Sequence, residues 1–162
     1  MNYNLYSELN KNISFSRAQS EHIMQPNMLN PQGTIHGGEL MKIMDNTAGI
    51  VGRKHCKGRL VTRRFDDIEF HKPVNTGDIV TVIGQLIYVG RSSMEIVIHI
   101  YVHDIIDFDN PKLAVSAFTT MVHLVDWVPN KVPELVVSTK EEEMLYNLGK
   151  KKHLEIKQKI NS

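Results

Sequence analysis

Asn30-Pro31-Gln32-Gly33-Thr34-Ile35-His36-Gly37-Gly38-Glu39-Leu40-Met41-Lys42-Ile43-Met44-Asp45 reads as a loop that turns into a helix. Pro26 to Gly33 is rich in turn formers, and from Gly38 onward Leu40, Met41, Met44, Ala48 and Val51 recur three and four residues apart, which predicts a helix with one buried face. Its end is expected near Cys56, where Lys54, His55 and Lys57 suit the negative end of the dipole and Gly58 can terminate it. Gly37 and Gly38 at the start let a ligand approach the backbone, and the unpaired first-turn N–H groups suit a developing oxyanion. The same pair can also serve only as a tight loop-to-helix turn. Asp45 sits among apolar neighbours, so its carboxylate lies either at the edge of the buried stripe or in a site. Gly38 and Asp45 share one helix face but are separated by roughly 10 Å along the axis at ~1.5 Å per residue. That is too far for both to act on one carbonyl group. If both take part, one must come from a second subunit, which predicts a site at a dimer interface.

Outward from this stretch, residues 12–24 have the β-branched and aromatic content of a strand. After Gly58 the period falls towards two. Residues 60–70 read as a strand, 73–77 as a turn and 79–89 as a second, largely apolar strand, followed by a tight turn at Gly90-Arg91. Met94, Ile96, Ile98, Ile100 and Val102 then alternate with Glu95, Val97, His99, Tyr101 and His103, the pattern of a half-buried strand. Residues 107–111 form a loop and 112–125 a further strand. Beyond Pro129 and Pro133, Ser138-Thr139-Lys140-Glu141 has the form of a capping box for a tail helix, which Gly149 can break or leave ragged. The order of strand, long helix, four antiparallel strands and tail helix is an α+β arrangement, with a domain over 12–128 and a tail over 129–162, helical from about 138. One sheet around one apolar helix leaves the rest of the sheet needing cover, so an oligomer is expected.

A chain of 162 residues suits one domain with a sizeable core. Nineteen basic against 18 acidic residues, net charge +1, give no global field for nucleic acid or an anionic membrane. No run approaches the roughly 18 apolar residues of a membrane span, and the polar stretch from Met1 to Lys11 does not read as a secretory signal. Cys56 alone rules out an intramolecular disulfide framework and reads as a buried or incidental thiol, so a cytoplasmic protein is expected. The basic cluster at 53–59 is a solvated helix end or a seat for a small phosphorylated ligand. His99 and His103 share a strand face with Tyr101, but no Cys or Asp/Glu spacing completes a metal-ligand set; that face reads as solvated or interfacial, and no metal is expected.

The run from Asn30 to Asp45, followed in order by Val61-Thr62, Phe70-His71-Lys72-Pro73-Val74, Gly77-Asp78 and Val89-Gly90-Arg91-Ser92-Ser93-Met94, resembles the hotdog-fold acyl-CoA thioester hydrolases. The pattern is most similar to the group that holds the YciA-type enzymes and the brain-type acyl-CoA hydrolase, and it extends over about residues 15 to 126. The resemblance implies a hotdog fold, an antiparallel sheet wrapped around a long central helix. It also implies homodimers joined sheet edge to sheet edge, which assemble as trimers of dimers into a hexamer. By position it implies Asp45 as the catalytic carboxylate, either general base or nucleophile, and Asn30 as the residue completing the site from the partner protomer. Gly37 and Gly38 would face the thioester, Gly90, Arg91, Ser92 and Ser93 would contact CoA, Thr62 would lie beside the pantetheine arm, and His36 near the thioester.

The implied reaction is hydrolysis of acyl-CoA to a carboxylic acid and CoA, with no metal and no cofactor beyond the CoA of the substrate. The chain departs from the family at Arg63-Arg64, where small or apolar residues are usual. Strand alternation sends the two arginines to opposite faces, and at least one of them, with Arg64 counted among the CoA-binding residues, is expected to reach the CoA phosphates or a subunit interface. Two other readings remain. A non-catalytic acyl-CoA-binding hotdog module would not need Asp45 and Asn30 together. A hotdog hydratase or dehydratase uses a paired His and carboxylate on a short loop–helix unit, faintly echoed by Asn30 to His36, whereas Asp45 lies on the later helix.

Overall fold

The computed structural model describes residues 4–6 and 15–162. The elements are β1 (Arg17–Ile23), a 3-10 turn at Pro26–Met28, α1 (Gly37–His55), β2 (Arg59–Phe70), β3 (Ile79–Val89), β4 (Ser93–Val102), β5 (Lys112–Val125), a short β6 (Val128–Pro129) and α2 (Lys140–Asn161). The strand expected from residue 12 is β1; residues 12–14 lie outside the described residues. Every pairing is antiparallel, in the order β1-β3-β4-β5-β2, with β6 on β5. One face of the sheet wraps α1, burying Leu40, Met44, Ala48 and Val51 against Val82, Leu86, Met94, Ile96, Ile98 and Met121. Removing this apolar surface from water is the main term favouring the arrangement. It is the hotdog fold, with a C-terminal helix added.

The other face departs from the sequence-based expectation. β4 is buried on both sides from Met94 through Ile100, not half-buried. Its outward-facing Val97 and Tyr101 form a second apolar cluster with Ile83 and Ile87 of β3, Phe118 of β5, Leu145 of α2, and with Leu5 and Phe15. Cover that was expected from other subunits is therefore supplied in part by the chain itself. The helix cap sits one residue later than the expected box: Thr139 Oγ1 accepts from the Glu142 N–H at 3.1 Å, while Glu142 Oε2 accepts from the Ser138 N–H at 2.6 Å. Nor does α2 break at Gly149. A Cβ there would stand 2.5 Å from Tyr88 Cβ and 2.8 Å from the Ile87 carbonyl carbon, so the glycine lets helix and strand backbones approach. Beyond it, the buried Lys152 ammonium donates to Asp67 and lies 4.9 Å from the centre of the Phe118 ring.

The histidine face of β4 is not solvated. His99, Tyr101 and His103 are all buried. His99 Nδ1 is 2.9 Å from the Tyr101 hydroxyl, which donates to Asn4 Oδ1 at 3.0 Å. His103 donates from Nδ1 to the Phe108 carbonyl at 2.7 Å and pairs through Nε2 with Thr81 Oγ1 at 2.7 Å. Burial, helped by nearby His71, pushes the His99 imidazole down to about 4.

Two outcomes follow from this packing. Gly149→Ala should destabilise the fold by about 1–3 kcal/mol in urea or thermal unfolding, since overpacking outweighs the ~1 kcal/mol gain in helix propensity. A net gain would show that α2 does not press on β3. His99 is held neutral in the fold, so its contribution is complete above pH ~6.5 and is lost as pH falls towards 4, by up to about 3 kcal/mol. Urea midpoints of wild type and His99→Asn between pH 7.5 and 4.5 should differ in slope with this sign; equal slopes would sink the assignment.

Candidate active site

Asp45 lies half-buried in the third turn of α1, and its Oδ1 accepts from the Thr62 hydroxyl at 2.5 Å. Thr62 belongs to β2, the outermost strand on one side of the sheet, so the carboxylate is tethered at a sheet edge that no strand among the described residues covers. Asp45 Oδ2 has no hydrogen-bond partner among the described residues. A carboxylate with one oxygen fixed and the other open can accept a proton from water or attack an electrophile.

Asn30 organises the loop ahead of α1. Its Oδ1 accepts from the N–H groups of Gln32 and Thr34 at 3.0 and 3.1 Å, and its Nδ2 donates to Thr34 Oγ1 at 2.9 Å. One Nδ2 proton is thereby used and a second remains. Gly33, at φ +85, closes this turn. His36 is the N-cap of α1: Nδ1 accepts from the Gly38 N–H at 3.0 Å. The Gly38 amide is thus occupied, whereas the Gly37 amide has no partner among the described residues. Asn30, Thr34, Gly37 and Leu40 share a cleft of about 330 Å³ with Phe70 and the segment 71–74. Asp45 does not line it. In one chain the structure brings Asn30 to Gly37, and Asp45 to Thr62, but does not bring these pairs together. Gly37 and Asp45 stand about 12 Å apart along α1 at ~1.5 Å per residue, with Phe70 and Thr62 beside them near the two ends of β2.

The other expected residues gather on the outer face. Arg63, Arg64, Arg91, Ser92 and Ser93 line a cleft of about 420 Å³ together with the last turns of α2. Alternation placed the two arginines on opposite faces; the structure corrects this. The pairing register between β2 and β5 jumps from Thr62–Met121 to Arg64–Thr120, so Arg63 is the extra residue of a β-bulge and both arginines reach the same cleft. Arg64 holds Asp66, with Nη2 to Oδ1 at 2.8 Å and Nε to Oδ2 at 2.8 Å. The Gly90–Ser93 turn closes through Gly90 N–H to Ser93 O at 2.9 Å, and its Arg91 and Ser92 carbonyls accept from Val132 and His123 at 2.9 Å. His153 and Lys157 also line the cleft, and the sequence reading missed them. The basic run beyond Gly149 was their signal, legible only if α2 continues. Cys56 is buried, which pushes its thiol up. Among the described residues no group of three or more His, Cys, Asp or Glu could hold a metal ion, and no helix is long and apolar enough to cross a membrane.

The sequence pattern of the Thioesterase superfamily matches residues 32–106. A cytosolic acyl coenzyme A thioester hydrolase of Mus musculus is 35% identical over 149 residues, which is 91% of this chain; the chain spans only 39% of that relative's length. A hexameric acyl-CoA thioesterase superposes with a TM-score of 0.82 at 26% identity, over 90% of this chain and 94% of the other. An acyl-CoA hydrolase from Staphylococcus aureus, solved with butyryl coenzyme A and coenzyme A, is 31% identical with a TM-score of 0.75, covering 91% of this chain and 94% of its own. That enzyme was also solved with single alanine substitutions at an asparagine, an aspartate and a threonine, whose separations along the chain equal those of Asn30, Asp45 and Thr62 here.

The cap geometry carries its own test. His36→Ala should cost about 1 kcal/mol of stability through the lost N-cap, and His36→Asn should restore it. Thermal unfolding of the three proteins checks this; an unchanged midpoint for the alanine variant would show that the ring does not cap α1.

Proposed function

The chain belongs to the thioesterase superfamily, and from that membership we propose that it hydrolyses acyl-CoA to a free carboxylic acid and CoA. The observation that carries the proposal is Asp45, fixed by Thr62 on an open edge strand and spaced from Asn30 as in the substituted S. aureus enzyme.

The working site is shared between two copies. β2 is 12 residues long with one side unpaired, a ready template for a second strand. Two copies of β2 pairing antiparallel about Asp66 would set Thr62 of each protomer opposite Phe70 of the other. Asp45 of one protomer would then face the cleft formed by the other's Asn30, Gly37 and Phe70. This supplies the physical reason for the distance between the pairs within one chain. Asp45 Oδ2 takes a proton from water, whose oxygen attacks the thioester carbonyl carbon. The Gly37 N–H receives the developing oxyanion, and the free Nδ2 proton of Asn30 orients the carbonyl or the water. Collapse of the adduct breaks the C–S bond, and the departing thiolate takes up the proton held by Asp45. CoA enters as part of the substrate, and the sequence of steps calls for no other group. The Gly90–Ser93 turn and Arg63 hold the CoA end. Hexameric relatives favour a trimer of such dimers, and the cytosolic mammalian relative favours a cytoplasmic setting.

Release of free thiol from a panel of acyl-CoAs tests this. Asp45→Asn should reduce turnover by about a hundredfold or more, as loss of a general base does. Co-expressed Asp45→Asn and Asn30→Ala chains should regain about one quarter of wild-type activity, because half of randomly formed two-fold dimers are mixed and each mixed dimer holds one intact site of two. Undiminished hydrolysis by Asp45→Asn would remove the carboxylate from the mechanism. Absence of recovery on mixing would place each site within a single chain, and a wild type inert on every acyl-CoA would favour a binding module.

A further inference from the structure

The cleft on the outer face has two kinds of lining. Arg63 of β2, Arg91 of the turn and Lys157 of α2 converge on it from three separate elements, and among the described residues none of the three has an ion-pair partner. Exposed cations gathered about one hollow add their fields there, a setting that favours an anion of several charges. Val122 and Ile156, both buried, and the half-exposed Ile160 supply the apolar part of its lining. A ligand matching both carries phosphates and an apolar-faced group beside them. At about 420 Å³ the cleft is near the lower end of small-molecule sites, the size for a nucleotide and not for a whole acyl-CoA.

α2 is seated here by a buried pair. Glu95 at the floor is 1% exposed; its Oε1 is 2.9 Å from His153 Nδ1, and its Oε2 accepts from Thr120 at 2.7 Å. Gly90 confirms how closely turn and helix meet, since a Cβ there would lie 2.9 Å from His153 Cε1. Thr62, which holds Asp45, is the neighbour of Arg63, so the reacting carboxylate and the cleft flank the same point of β2.

We propose that the last turns of α2 read the nucleotide end of CoA, Lys157 on its phosphates and Ile160 against its adenine. His153, through Glu95, is a positioning residue that keeps the helix over the cleft. The chain would thus prefer acyl-CoA to the same acyl group on a carrier without the nucleotide. This rests on the thioesterase reading above and adds α2 to it.

The test compares kcat/KM for one acyl group on CoA and on N-acetylcysteamine. Lys157→Ala should lower the CoA-to-N-acetylcysteamine ratio about five- to tenfold, mainly through KM for acyl-CoA, the effect of losing one solvent-accessible charge-assisted contact. Ile160→Ser should lower the ratio as well, and inhibition by adenosine 3′,5′-bisphosphate should weaken in parallel. Lys150→Ala, on α2 but outside the cleft, is the control. Equal losses on both thioesters, or a Lys157→Ala enzyme indistinguishable from the control, would overturn the proposal while leaving the hydrolase intact. If wild type cleaves neither thioester, the hydrolase reading fails. Calorimetric binding of adenosine 3′,5′-bisphosphate, weakened by Lys157→Ala or not, then decides the cleft by itself.

Discussion

A sheet whose central strands are apolar on both faces has to be covered twice, and this requirement shapes the whole molecule. β3 and β4 carry Val82, Leu86, Ile96 and Ile98 on one side and Ile83, Ile87 and Val97 on the other. α1 satisfies the first face, while α2 and residues near the N-terminus satisfy the second. Among the described residues the sheet keeps two unpaired edges, β1 and the longer β2, and along the outer side of β2 backbone donors and acceptors remain without strand partners. The proposed chemistry collects at that remaining deficit. Asp45 is tied to it through Thr62, and the cleft of Asn30 and Gly37 sits at its far end.

The bulge at Arg63 shows how a small backbone irregularity redirects function. Without it, Arg64, two residues after Thr62, would point to the α1 side of β2, among apolar side chains where a guanidinium is costly to bury. With one extra residue the strand keeps Thr62 facing α1 and turns both arginines outward. One of them, Arg64, is held by Asp66; the other keeps its charge free for the cleft. The same stretch of β2 thereby presents a hydroxyl to the carboxylate on one face and cationic charge on the other.

Local periodicity carried much of the fold into the sequence. The bounds of β3 and β5 were readable to the residue, and α1 to within a residue or two, because each depends on its own apolar pattern and adjacent turns. The misreadings share a non-local cause. His99, Tyr101 and His103 look like a wet face of β4 until Asn4 and Thr81, distant in sequence, and Phe108 of the following loop satisfy their polar atoms. Gly149 looks like a helix breaker until Ile87 and Tyr88 come against it. The bulge has no glycine to announce it. The candidate site divides the same way: Asn30, the glycines and Asp45 stand out in sequence, whereas the Asp45–Thr62 tether and the contribution of α2 exist only once the sheet has formed.

The position of α2 in the chain also bears on how the molecule comes into being. During synthesis every strand emerges before it, so the sheet can close around α1 while Ile83, Ile87 and Val97 still face water on the other side. That interval leaves an exposed apolar surface on a nascent domain, the kind of surface that chaperones bind and that seeds aggregation. The second cluster and the basic cleft are completed by one late event, the docking of a single helix. A growing chain would acquire its carboxylate and its glycine turn early and its nucleotide cleft last.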